Sequence, residues 1–197
     1  MIEHFYRSLP GQFTWPDFYA WLPTQVQPNA RIVEIGTYAG QSAACLGVEL
    51  LNYCEGKNWP LDVHPVLDLV DVFDADQILA TRRRLAPIAR ALGAVHGCGS
   101  VPASGFYPDR FLDAVFIDGD HAYPSVIADI DAWLPKVRPG GILAGHDYTP
   151  EIPDVVRAVH DRFDRFEVWR GERFRGTHGE LKEPGGYFPV WCVRVPG

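Results

Sequence analysis

Two stretches of this chain place acids and histidines directly behind apolar runs. In "VFIDGDHAY" (115–123) the run leads into Asp118, Asp120 and His121. In "GGILAGHDY" (140–148) it ends on His146 and Asp147. Histidine, with an ordinary pKa of about 6.5, takes up and releases protons near neutral pH. Beside carboxylates it suits proton transfer on a polar ligand. A third stretch, "VEIGTYAGQS" (33–42), is a glycine turn. Where a dinucleotide loop GxGxxG has its first glycine, this chain has Glu34. An acid sits poorly beside a pyrophosphate and suits a ligand bearing an ammonium group. Asp71 closes another apolar run and could accept both hydroxyls of a ribose. It lies 35 residues after Gly36, beyond the roughly 20 of dinucleotide folds. The insertion "EGKNWPLDVHP" explains the delay.

These residues need elements to position them. "RIVEI" (31–35), "PVLDLVDVF" (65–73), a short run near Ala94–His96, "FLDAVFID" (111–118) and "GGILAGHD" (140–147) read as strands. "FEVW" and "VWCVRV" read as two closing strands. Between them "QSAACLGVELLNYC", "DQILATRRRLAPIARAL", "YPSVIADIDAWL" and "PDVVRAVHDRF" carry helical patterns. Pro87 should kink or end its helix, and Pro124 suits a first turn. Strand and helix alternating at this pace imply a parallel sheet covered on both faces. Ligands of such sheets bind beyond the carboxyl ends of the strands. Glu34–Gly36, Asp71, Cys98–Ser100, Asp118–His121 and His146–Asp147 all fall there. Asp118 and Asp147 end adjacent strands, so their carboxylates can converge. Asp120 is expected to cap the helix starting near Ala122.

Composition narrows the class. A chain of 197 residues suits one domain, and 47% hydrophobic with 22% charged residues is ordinary for a globular protein. The formal charge of -7 disfavours a nucleic-acid partner. The start "MIEHFYRSLPGQF" does not read as a signal peptide, and no apolar run approaches the roughly 20 residues of a membrane span. Cys45, Cys54, Cys98 and Cys192 form no CxxC and read as core residues of a cytoplasmic protein. His4, His64, His96, His160 and His178 show no ligand spacing. The N-terminal extension (1–29) contains "FYRSLPGQFTWPDFYAWL", with seven aromatic residues. A helix from Pro16 to Gln25 would cover the cleft or a partner subunit of a homo-oligomer, or simply pack on the sheet edge. Residues 170–188, which include His178, read as a mobile loop that could fold over an acceptor, with Tyr187 or Phe188 contributing apolar wall.

On "VEIGTYAG", Asp71 in "VDVF", Ser100, "FIDGDH" and "GGILAGHDY", the chain resembles the class I S-adenosylmethionine (SAM)-dependent methyltransferases. The block from Phe116 to Tyr148 looks like the small-molecule branch that includes macrolide-sugar O-methyltransferases. More distantly it is similar to catechol and caffeoyl-CoA O-methyltransferases. The resemblance implies an α/β, Rossmann-like three-layer sandwich. Its seven-stranded sheet is mostly parallel, with an antiparallel last strand, and the match runs through nearly the whole chain. It implies that Glu34, Gly36, Thr37, Tyr38, Gly40 and Ser42 surround the methionine part of SAM. Asp71 would hold the ribose, with Val72 and Phe73 beside the adenine, Ser100 at its edge and Asp118 near the cofactor. The family often has an acid just before that serine, where this chain has Gly99.

The acceptor implied is a hydroxyl of a small molecule, a sugar or natural product. His121 matches the family's general base. The metal-dependent relatives hold a divalent ion at Asp118, His146 and Asp147, with a carboxylate where this chain has His146. Two carboxylates and an imidazole suit Mn²⁺ or Fe²⁺ better than Mg²⁺. Two competing classes are a nicotinamide-dependent oxidoreductase, which Glu34 opposes, and a non-catalytic SAM-binding module.

Overall fold

The computed structural model describes residues 1–60, 62–169, 175–177 and 189–197. Among the described residues, eight strands form one sheet: β1 (Arg31–Ile35), β2 (Val66–Asp71), β3 (Leu92–Gly97), β4 (Leu112–Ile117), β5 (Val137–Gly145), β6 (Glu167–Trp169), β7 (Arg175–Thr177) and β8 (Val190–Arg194). Their order is β3-β2-β1-β4-β5-β8-β6-β7. The first five strands pair in parallel. β8 runs antiparallel to both β5 and β6. The expected sheet with an antiparallel closing strand is therefore present. The three-residue β7 adds an eighth strand at the β6 edge, Glu167 opposite Thr177. It falls within the expected loop 170–188. His178, Tyr187 and Phe188 lie outside the described residues.

The helices are α1 (Pro16–Trp21), α2 (Gln41–Gly56), α3 (Ala75–Arg84), α4 (Ser100–Ser104), α5 (Tyr123–Trp133) and α6 (Pro153–Arg162). Local chemistry fixes several of their ends. Asp74 and Gln77 form a capping box at α3, satisfying two otherwise orphaned amides. α3 stops at Arg84, and Pro87 falls in a 3-10 turn at Ala86–Ile88. Pro124 is the second residue of α5 and Pro153 the first of α6, first-turn places where a missing N–H costs nothing. Asp120 lies two residues ahead of Ala122, the residue flanking α5, and accepts from the Ala122 N–H and the Ser125 hydroxyl.

Alternating strand side chains build two cores. Ile32, Leu67, Leu69 and Phe116 pack with α1 and α2 on one face. Val33, Val70, Val115, Ile117 and Leu143 pack with α4, α5 and α6 on the other. Phe18 and Tyr19 are fully buried against Phe116, so α1 belongs to the first core. The chain leaves β1 toward β2 and β3, then returns to β4 and β5 on the other side. The carboxyl ends of β1 and β4 thus flank the topological switch point.

Candidate active site

The loops after β1 and β4 meet backbone to backbone. Asp118 N–H donates to Ile35 O at 3.0 Å. A Cβ on Gly36 would lie 1.7 Å from the Asp118 carbonyl oxygen, and Gly36 has φ +82°. Glycine is required here by the neighbouring strand as well as by the left-handed turn. Tyr38, also at positive φ, is held by Asp71, whose Oδ2 accepts the Tyr38 N–H and whose Oδ1 accepts the Val72 N–H, both at 2.7 Å. Gly40 flanks the start of α2 at φ +88° and packs on Leu85; it lines neither cavity of the cleft.

Two cavities share this junction. The first, about 1080 Å³, is lined by Thr37, Ser42, His121, His146 and Asp147, and by the segment Pro10–Trp15. The second, about 600 Å³, is lined by Asp71, Val72, Gly99, Ser100, Asp120 and Asp129. Gly36, Tyr38, Asp118 and Gly119 line both. A ligand with two dissimilar halves could lie across this waist.

The acids and histidines meet in the first cavity. His121 Nε2 stands 2.6 Å from Asp147 Oδ2. With Nε2–H donated to this carboxylate, the neutral ring leaves Nδ1 free to accept a proton. His146 is buried beneath, its Nδ1 at 3.3 Å from Asp118 Oδ1 and 3.1 Å from Asp147 Oδ1. Its Nε2 lies 3.3 Å from Thr14 Oγ1, and its ring packs on Trp15 with 3.9 Å between centroids. Burial works against the imidazolium, but the Asp118 and Asp147 carboxylates outweigh it and push the His146 pKa up to about 9. Asp147 adopts φ +61°, a conformation that aspartate tolerates better than most residues.

This geometry changes the expected metal set. The three ligand atoms that lie within 4.8 Å of one another come from Asp118, His121 and Asp147; His146 is outside that group. His146 Nδ1 is engaged by both carboxylates. The 2.6 Å between His121 and Asp147 is a charge-assisted hydrogen bond, closer than two ligands stand around an ion with bonds of about 2.1 Å. As arranged, these residues do not fit an oxygen-ligated Mg²⁺.

Other expected residues divide. Val72 and Ser100 line the second cavity, but Phe73 turns away to a smaller pocket with Thr81 and Arg84. Glu34 reaches neither cavity. It is buried beneath the loop, accepting from the Tyr19 hydroxyl at 2.7 Å and the Ser42 hydroxyl at 3.0 Å. Burial pushes its pKa up to about 7. Three features line the cavities beyond the residues expected from the sequence. Pro10–Trp15 forms a wall of the first cavity; Gln41 lines it with a buried Oε1 lacking a donor among the described residues; Asp129 lines the second from α5. Gln41 was findable, since it opens the helix after the glycine turn. Nothing in local spacing links residues 10–15 to His146.

Sequence and fold comparisons agree with this architecture. Residues 33–148 match the family model described as a methyltransferase domain. The chain belongs to this methyltransferase family, and its fold is that of the class I SAM-dependent methyltransferases. The uncharacterized protein y4gI of Sinorhizobium fredii is 26% identical over 150 residues, covering 73% of this chain. The match takes in only 16% of that relative's length. Among solved structures, an O-methyltransferase from Bacillus cereus in complex with S-adenosylhomocysteine (SAH) superposes with a TM-score of 0.62 at 17% identity, covering 95% of this chain and 85% of that one. An rRNA methylase from Streptococcus thermophilus gives 0.63 at 13% identity, covering 92% and 95%. Among the described residues, no helix is long and apolar enough to cross a membrane.

Proposed function

We propose that the protein is a cytoplasmic, SAM-dependent O-methyltransferase acting on a hydroxyl of a small molecule such as a sugar or natural product. The 2.6 Å His121–Asp147 pair facing the first cavity carries this reading. The second cavity would hold the adenosine half of SAM, with Asp71 at the ribose. Thr37, Gln41 and Ser42, across the waist, would hold the methionine half. Glu34 acts one layer below, fixing Ser42. The acceptor enters between Pro10–Trp15 and His121.

SAM would supply an activated methyl group for a new O–CH₃ bond at the acceptor oxygen and would leave as the neutral thioether. The hydroxyl proton passes to His121 Nδ1, and Asp147 stabilises the imidazolium through Nε2–H. His146 ties Asp118 and Asp147 together beneath the site. No described residue lining the first cavity is Lys or Arg. With the formal charge of -7, this favours an uncharged small acceptor over a nucleic acid.

A metal-assisted second reading rests on the 4.8 Å grouping of Asp118, His121 and Asp147, and it requires His121 and Asp147 to part from their 2.6 Å contact. That mixed set would suit Mn²⁺ or Fe²⁺, and it would make His121 a ligand instead of the base. A methyl-transfer assay over hydroxylated metabolites, with chelator and then with each divalent ion, separates the two. Full turnover in chelator supports His121 as base; turnover restored only by an ion supports the second reading. Calorimetry showing tight NAD binding and no SAM binding would overturn both.

A further inference from the structure

The second cavity is rich in acids, and most of them are already engaged. Both Asp71 oxygens accept backbone N–H groups from Tyr38 and Val72. Both Asp120 oxygens are taken, one by the Ala122 N–H and one by the Ser125 hydroxyl. Asp118 stands at the waist beside His146. Asp129 differs. It is only 5% exposed, yet it lines the cavity from the inner face of α5.

Its setting is built. The Trp133 indole N–H donates to Ser100 Oγ at 2.9 Å. The Ser100 hydroxyl proton is then left to face the Asp129 carboxyl group on the same cavity wall. Asp129 Oδ2 faces the bare backbone of Gly119, where even a Cβ would approach to 3.4 Å. Burial holds the Asp129 carboxyl above its ordinary range, consistent with an acid short of donors. Ring-facing surface is also present: Val72 is 78% exposed and Val101 45% exposed, both lining this cavity.

We infer that Asp129 reads the 6-amino group of the cofactor's adenine, accepting its N–H from α5 in place of the loop acid that Gly99 does not supply. This rests on the reading that the second cavity holds the adenosine half of SAM. Asp71 and Asp129 then divide the nucleoside, the first taking the ribose and the second the far edge of the base. A buried acceptor rejects an analogue without the donor, because the acceptor is left unpaired.

The test is a two-by-two binding cycle by calorimetry. SAH and its analogue with hydrogen in place of the 6-amino group are titrated into wild type and Asp129→Ala. Wild type should bind SAH about tenfold to a hundredfold more tightly than the deaminated analogue, the span of one hydrogen bond to a charged group. Asp129→Ala should bind the two within about twofold, and should bind the deaminated analogue about as well as wild type does, which also reports intact folding. Asp129→Asn, whose amide can turn either a donor or an acceptor to the base, gives a second measure; its preference should fall below that of wild type. Equal discrimination in wild type and both variants would assign the amine to another group and overturn the inference. So would a wild type indifferent to the amine. If wild type binds neither ligand, the cofactor reading itself fails, and that result is distinct from the other two.

Discussion

The second cavity is lined by residues that end β1, β2 and β4, lie just beyond β3, or sit on the helix after β4. The first takes its chemistry from β4 and β5 but borrows a wall from Pro10–Trp15. Thr14 contacts His146 across 132 residues of sequence. One cavity is thus a product of the sheet's topology, and the other of a distant segment folded over it. In the proposed function the second cavity takes the adenosine half of the cofactor, and the first takes the methionine half together with the acceptor, which the Pro10–Trp15 wall faces. Breaking residues on either side should therefore give different kinetic signatures.

The largest expected effect lies on the acceptor side. His121→Ala should lower turnover about 10²- to 10⁴-fold, the usual contribution of a general base. SAM affinity should stay within about twofold, because the partner of His121 is Asp147 and none of the residues assigned to the cofactor. Stopped-time methyl transfer together with SAH calorimetry measures both. Unimpaired turnover on the true acceptor would remove His121 from the mechanism.

Beneath the junction, Glu34 should be visible in stability. The unfolded carboxyl ionises near its ordinary 4.5, while the folded one retains its proton to about 7. Between those values the unfolded state releases a proton that the folded state keeps. Stability therefore falls as pH rises from 4.5 to 7, then levels. At about 1.4 kcal/mol per unit, the loss is roughly 3 kcal/mol. Urea unfolding across that range should show the slope in wild type and a flatter profile in Glu34→Gln. Identical slopes would mean that Glu34 is already ionised at low pH.

On the cofactor side, Asp71→Ala should weaken SAM by about 1.5–3 kcal/mol, as for a hydrogen bond to a charged group. The structure adds a second source for the loss, since Asp71 also holds the Tyr38 and Val72 amides. Asp71→Asn keeps an acceptor and should lose less. If both variants bind SAH like wild type, the ribose lies elsewhere.

The same division separates the legible parts of the sequence from the rest. The alternation of short β-branched runs with helical patterns specified the parallel sheet, whose central strands β1 and β4 are buried on both faces. Strand-end residues such as Asp118, His121 and Asp147 were legible for the same reason: the topology that buries "VFI" must deliver the next residues into the cleft. Orientation was harder. Phe73 directly follows Val72, yet it turns to the α3 side, since it packs against the core there. Glu34 suited a ligand's ammonium group by its place in the loop, but Tyr19 from α1 occupies it from below. His146 suited a metal by its place beside Asp147, and Thr14 with Trp15 instead seats it between two carboxylates. In the last two cases the deciding partner comes from the N-terminal segment, whose docking no local pattern announces. Asp129 looked like one more polar position on an amphipathic helix, because only the packed structure shows which face of α5 meets a cavity.

The smallest predicted effect tests that N-terminal contribution directly. Thr14 Oγ1 is the partner at the Nε2 end of His146, and Trp15 packs on the same ring. Replacing Thr14 with valine keeps shape and burial but removes one hydrogen bond, worth about 0.5–1.5 kcal/mol. His146 would remain tied to Asp118 and Asp147 at its other nitrogen, so the ring should keep its place with a looser fix. Thr14→Val should therefore change kcat/KM for the acceptor by about twofold to tenfold. SAH affinity should be unchanged, because the contact of Thr14 is His146 and none of the residues assigned to the cofactor. Thr14→Ser restores the hydroxyl and should recover most of the loss. If Thr14→Val alters SAH binding as strongly as acceptor kinetics, the segment supports the whole cleft and the division between the two cavities fails. If serine does not rescue, the threonine acts through packing and not through His146.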